Sequence, residues 1–249
     1  MRKYYIDNLR VFCIMLLFPF HTAMIFNNWG EAFYIHGEEN FPASFFTACV
    51  YPWWMTLLFV IAGMSSYFAL SKRSVKEFIR ERVNKLLIPL LVGLVTVVPI
   101  QTYVADVFHN GYDGNFFEHY AVYFTRFTDL TGYDHGMIWD IEYRLYLWSG
   151  ILFLLGLAKR YFNKTNRLMS YLSVAAFPLY YFHQTILVVL GYFVLKKVDV
   201  MWIQYVSICV GTFILSLLCY ELCRRNRITA KLFGIKKINV TSVVVTVHR

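Results

Sequence analysis

Charge is what this 249-residue chain lacks. Asp, Glu, Lys and Arg together make up 16% of it, against 58% hydrophobic residues. A soluble domain carries charge on about a quarter of its residues, so this balance argues against a water-soluble protein. Acidic residues are the scarcer sign, 15 against 24 Lys and Arg, and the net charge is +9. Motifs are missing as well. There is no glycine-rich phosphate loop, no GxSxG elbow and no zinc-ligand spacing, which argues against P-loop, α/β-hydrolase and zinc-site chemistry. The five cysteines (Cys13, Cys49, Cys209, Cys219 and Cys223) form no paired motif beside a histidine. They read as buried or lipid-facing thiols, and no metal is expected. The aromatic content suits membrane belts, so no nucleic-acid partner is expected.

What the chain does have is long apolar runs, several near or above the ~18 residues that cross a bilayer. Six spans are predicted, at 11–27, 44–70, 86–107, 143–158, 171–195 and 201–222. The fourth is the weakest: its clean apolar part starts only at Leu145, after Asp140, Glu142 and Arg144. The fold class is all-α, a polytopic transmembrane helical bundle of about six spans in a lipid bilayer. Residues 1–222 form the membrane domain and 223–249 a basic tail, expected to be poorly ordered or to lie on an anionic leaflet. The first apolar run contains Pro19 and His21 and lacks a small-residue cleavage site, so it reads as an uncleaved span.

Basic residues alternate along the chain. All but Arg126, Arg144, Lys196 and Lys197 fall in the first segment, the loops after spans two and four, and the tail. The positive-inside rule then places both termini in the cytoplasm. The outer segment 108–137 is polar and aromatic, and an interfacial helix is expected around 115–128.

Two polar residues interrupt the first span, Arg10 and His21. Eleven helical steps come to roughly three turns plus 20°, so they share a face, about 16 Å apart along the axis. Ionisable groups at membrane depth are costly and face a cavity or a partner. A neutral imidazole there is a candidate general base. Arg82 and Lys85 open the third span and, with Arg10, make a basic mouth suited to a phosphate-bearing donor. His183, with Gln184 beside it, is a second histidine at depth and a possible site residue. Gly63 in FVIAGMSSY reads as a helix-packing glycine. His36, His109, His119, His135 and His248 read as surface residues.

Four segments in order carry a resemblance: YIDNLRVFCIMLLFPFHTAMIF, LLFVIAGMSSYFAL, RVNKLLIPLLVG and YLSVAAFPLYYFHQTILVVLGY. Through them the chain resembles the acyltransferase 3 family of membrane acyltransferases, in particular its glucan-modifying, succinyltransferase-like branch. The resemblance implies an O-acyltransferase of the bacterial inner membrane. A histidine base, His21, deprotonates an acceptor hydroxyl, which attacks an acyl-coenzyme A thioester. The acceptor would be an envelope carbohydrate and the acyl group acetyl or succinyl. Arg10, Arg82 and Lys85 would face the donor's phosphates, with coenzyme A as co-substrate and no permanently bound cofactor. Lys85 stands where the family usually has a second arginine. The family pattern also breaks after DLTGYD and resumes near WSGILFLLGLAKRY, which implies an internal deletion near 135–146. Two other readings follow: a shortened, non-catalytic remnant that binds donor or partner without turnover, and a small transporter, which the lack of an internal repeat disfavours.

Overall fold

The structure is a computed structural model that describes residues 4–31, 34–71, 73–123 and 150–235. Among these it is all helical. Helix α1 spans Tyr4–Ile25, α2 Phe41–Leu70 and α3 Val75–Arg82. A π-helical turn at Val83–Leu87 leads into α4, Ile88–Thr96, and α5, Val98–Asn110. Then come α6, Phe116–Tyr123, α7, helical over 150–161, and α8, Arg167–Lys197. Finally α9 spans Met201–Arg225 and α10 Arg227–Leu232.

Among the described residues five helical stretches are long and apolar enough to cross a membrane: α1, α2, Val75–Asn110, α8 and α9. The fourth expected span, 143–158, lies partly outside the described residues. The expected helix near 115–128 is present as α6, and 124–128 lie outside the described residues.

Burial ranks the helices. In α1 67% of the apolar window is buried and in α8 56%, against 17–33% in the other three. The centre of the bundle is therefore α1 packed on α8, with α2 and α9 also against α1 and α5 against α8. Helix α9 shows why its sequence suits lipid. Trp202, Val206, Val210, Ile214, Leu218 and Leu222 are exposed, while Gln204, Ile208, Thr212, Ser216 and Tyr220 are buried. Large apolar side chains face outward and smaller or polar ones face the neighbours, the pattern of helices that associate in lipid by close packing.

Polar groups of the neighbours bond backbone carbonyls of α1 and of the turn beside it. The Trp54 indole donates to the Cys13 carbonyl (2.8 Å) and the Tyr205 hydroxyl to that of Pro19 (3.0 Å). Asn8 in turn donates to the carbonyls of Phe162 and Lys164 in the turn after α7, at 2.7 and 2.6 Å. Glycines permit close approach elsewhere. A Cβ on Gly191 would stand 2.6 Å from Ile35, and one on Gly211 2.7 Å from Leu190. Gly63 differs from expectation: a Cβ there meets nothing within 4 Å among the described residues.

The start of the tail also departs from expectation, and 236–249 lie outside the described residues. Residues 226–235 fold back on the bundle, burying Ala230 and Ile235 and setting the Phe233 ring against Tyr181 and Phe182. Gly234, at φ 63°, sits where a Cβ would stand 2.9 Å from the Lys85 carbonyl oxygen. Only glycine takes that left-handed conformation and that approach at little cost. Enough apolar surface is present in ITAKLFGI to dock the segment, which a charge count of the tail overlooks.

Because packing, not water, holds this bundle, side chains at its centre and on its lipid face should behave oppositely. Leu17→Ala, at a fully buried α1 position, should cost about 2–5 kcal/mol, whereas Leu218→Ala on the exposed face of α9 should cost little. Thermal midpoints of the two variants in detergent measure the difference.

Candidate functional site

Arg10 and His21 lie on one face of α1, the face toward α2. One Arg10 nitrogen donates to Ser65 Oγ (2.8 Å), while the His21 ring meets Trp54 edge-on at 5.5 Å. Ser65 and Trp54 are themselves eleven residues apart on the antiparallel helix.

At the basic end of the bundle the structure brings Arg10 and Arg82 together through adjacent serines. Arg82 reaches Ser66 Oγ at 3.3 Å, beside the Ser65 that binds Arg10. Arg10 and Lys85 are held close to acids. Arg10 pairs with Asp7 at 3.2 Å, and Lys85 pairs with Glu81, which also holds Arg73. Lys85 sits on the π-helical turn, four residues before Pro89. A proline has no N–H to give the Lys85 carbonyl, which loosens the helix at this point, and Gly234, just after α10, lies against it.

At the other end the histidines meet. His21 and His183 have ring centroids 4.9 Å apart and line one cavity of about 400 Å³. The Nδ1 of His183 lies 2.6 Å from the Tyr180 carbonyl. A carbonyl only accepts, so Nδ1 carries the proton, and in the neutral ring Nε2 holds the lone pair. That Nε2 is buried and has no hydrogen-bond partner among the described residues. His21 is held differently, with the Tyr34 hydroxyl on its Nδ1. Gln184 lies against Tyr34 in the same cavity.

Tyr34 belongs to the segment between α1 and α2, which folds down over the site. Gly37 N–H donates to the Ile25 carbonyl (2.9 Å) and Asn40 N–H to that of Phe26 (2.8 Å). His109 Nε2 donates to the Tyr34 carbonyl. Tyr34 and Ile35 are buried, and burial, more than the nearby Glu31, pushes the Tyr34 phenol above its usual pKa. Burial beside His109 lowers the pKa of His36.

Sequence reasoning missed Tyr34, Glu31, Tyr51 and Trp54, all of which line the histidine cavity. Their signal is weak, because an aromatic residue in a loop or on an apolar helix looks like any belt residue. His119 also differs from its surface assignment. It is 5% exposed and 3.2 Å from Asp106, because α6 turns back on α5. His109 and His36 have their rings in contact at 5.2 Å, and His135 and His248 lie outside the described residues. No group of three or more His, Cys, Asp or Glu among the described residues is placed to hold a metal ion.

The arrangement therefore offers two imidazoles and a phenol around a cavity, with guanidinium groups three helical turns away. Residues 3–120 and 117–221 both match the profile of an acyltransferase domain. The chain belongs to the acyltransferase 3 family. Among curated proteins it is similar to the glucans biosynthesis protein C of Escherichia coli K12 and of Escherichia coli O1:K1 / APEC, at 26% identity over 102 residues in each. That alignment takes in 41% of this chain, and the chain spans 25% of the length of those relatives. No solved structure matches it.

If the Tyr34 hydroxyl holds the His21 ring, its removal leaves a buried nitrogen unpaired. Tyr34→Phe should then cost about 1–3 kcal/mol, seen as a lower thermal midpoint, while Tyr51→Phe, on the same cavity, should not.

Proposed function

We propose that this chain is a membrane O-acyltransferase that moves an acetyl or succinyl group from a coenzyme A thioester to a hydroxyl of an envelope carbohydrate such as a glucan. It would sit in a bacterial inner membrane with both termini cytoplasmic. One observation carries the reading: the family's arginine and histidine lie on one face of the most buried helix, and the histidine opens into a cavity that holds a second histidine and a phenol.

The chemistry follows from the bonds. In the tautomer with its proton on Nδ1, His21 donates to the Tyr34 hydroxyl and keeps the Nε2 lone pair for the acceptor hydroxyl. As Nε2 takes that proton, the acceptor oxygen bonds to the thioester carbonyl carbon. The carbon–sulfur bond then breaks, and the proton passes to the departing thiolate. His183 and Gln184 stand beside the reacting atoms. Arg10 and Arg82, with Lys85, hold the donor's phosphates at the cytoplasmic end. The glucan acceptor rests on the name of the similar Escherichia coli protein, and the cytoplasmic placement of both termini on the alternating basic segments.

A second reading, a shortened relative that binds without turnover, draws support from the ion pairs at the basic end. Asp7 and Glu81 already neutralise part of the charge that a donor would need.

Membranes containing the full chain, given radiolabelled acetyl- or succinyl-coenzyme A and glucan acceptors, separate the two. His21→Ala should lower transfer by about 10²–10⁴-fold, the range of a lost general base. Transfer no greater than in that variant would remove the catalytic reading, and coenzyme A binding without transfer would favour the second.

A further inference from the structure

The bundle contains a second cavity, between α4–α5 and α8, of about 380 Å³. Leu86, Leu90, Leu94, Val97, Val98 and Phe177 make most of its wall. Gln101 and Thr185 line its far part, and none of its described lining residues is charged. It shares Tyr180 and Gln184 with the histidine cavity.

Its ends can be placed. Leu86 follows Lys85 on the π-helical turn, so one end borders the basic residues. Thr185 Oγ1 donates to the Val97 carbonyl at 3.2 Å, so Val97 is level with the residues just after His183. From Leu86 to Val97 is about 16 Å of helix, the same rise as from Arg10 to His21. The slot continues to Gln101, about 6 Å further. Midway, Gly93 leaves room for the Tyr181 ring, which a Cβ there would meet at 2.6 Å.

From this geometry, and resting on the donor proposed above, we infer that the slot seats the thioester arm and the acyl group, and that the acyl group is a short uncharged alkyl acyl, acetyl to butyryl, rather than succinyl. The arm runs from the basic turn along the leucine and valine wall and brings the thioester level with the histidines. The acyl chain occupies the remaining turn toward Gln101. A succinyl carboxylate there would lose its water and find no cation among the described lining residues, which is costly. Turned toward the histidine cavity it would meet the Glu31 carboxylate, a like charge.

Competition binding on the full chain in detergent tests this, with free coenzyme A and acetyl-, butyryl- and succinyl-coenzyme A as probes. Butyryl-coenzyme A should bind at least about tenfold more tightly than free coenzyme A, since one methylene in an apolar pocket is worth about 10-fold or more. Succinyl-coenzyme A should bind no better than the free form. Val98→Phe should abolish the butyryl advantage while leaving free coenzyme A affinity and the thermal midpoint in place, whereas Leu94→Phe, on the stretch that seats the arm, should weaken free and acylated coenzyme A alike. Gln101→Arg should raise succinyl-coenzyme A affinity. Equal affinity of the succinyl and butyryl esters, or a butyryl advantage that survives Val98→Phe, overturns the slot. Failure of every probe to bind, free coenzyme A included, overturns the donor reading beneath it.

Discussion

The rest of the structure depends on the burial of α1. A helix so enclosed gains nothing from exclusion of water inside a bilayer, because lipid tails are as apolar as its own side chains. Shape and hydrogen bonds must hold it. The Trp54 indole and the Tyr205 hydroxyl tie α2 and α9 to its carbonyls, and Asn8 ties its start to the turn after α7. A carbonyl already bonded within a helix keeps a second lone pair, so these anchors cost the helix nothing. They sit at Asn8, Cys13 and Pro19, all before His21, and hold the stretch of α1 that leads to it. Trp54 does double duty, holding α1 through its N–H and walling the imidazole with its ring.

The same logic separates what the sequence made legible from what it did not. Periodicity and spacing tell which residues share a face, so the shared face of Arg10 and His21 could be read from eleven helical steps. The alternation of basic segments gave the up-and-down order, and the structure gathers Asn8, Ser65, Arg82, Lys164 and Gly234 at one end. Partners across helices leave no such signal. Tyr34 comes thirteen residues after His21 in an irregular segment, and nothing local says that the segment folds back between α1 and α8. His119 looked exposed because its polar neighbours are exposed, while the residue that explains its burial, Asp106, is on another helix. Gly63 shows the reverse error: a small residue in a membrane helix suggests a contact that the described residues do not make.

At the basic end, charge alone would describe the surface poorly. Arg10, Arg73 and Lys85 are each within reach of a carboxylate, Asp7 or Glu81. An arriving polyanion would have to compete for cations already engaged, which exchanges one set of ion pairs for another. Such exchange is cheaper than desolvating free cations, because exposed pairs are worth only about 0–1 kcal/mol. The π-helical turn adds a second feature. It widens the helix where Lys85 sits, Pro89 deprives that turn of a donor, and Gly234, just after α10, lies against it. Two departures from regular helix therefore meet at one turn, and π-bulges are frequent at functional sites.

An eleven-residue interval recurs around the centre of the bundle. It separates Arg10 from His21 on α1, and Trp54 from Ser65 on α2, where those two residues contact the first pair in reverse order. It also separates Leu86 from Val97 along the slot wall. Helices α1 and α4–α5 run in the same direction and start from the same end, so equal intervals mean equal depths. A ligand extended along the slot would therefore be measured against α1 as by a ruler, its charged head level with the guanidinium groups and its far part level with the imidazoles. The depth is set by backbone rise rather than by any single contact, so it tolerates exchange of side chains along the wall. Insertion or loss of a residue in any one of the three helices would break it, by about 1.5 Å in depth and about 100° in direction.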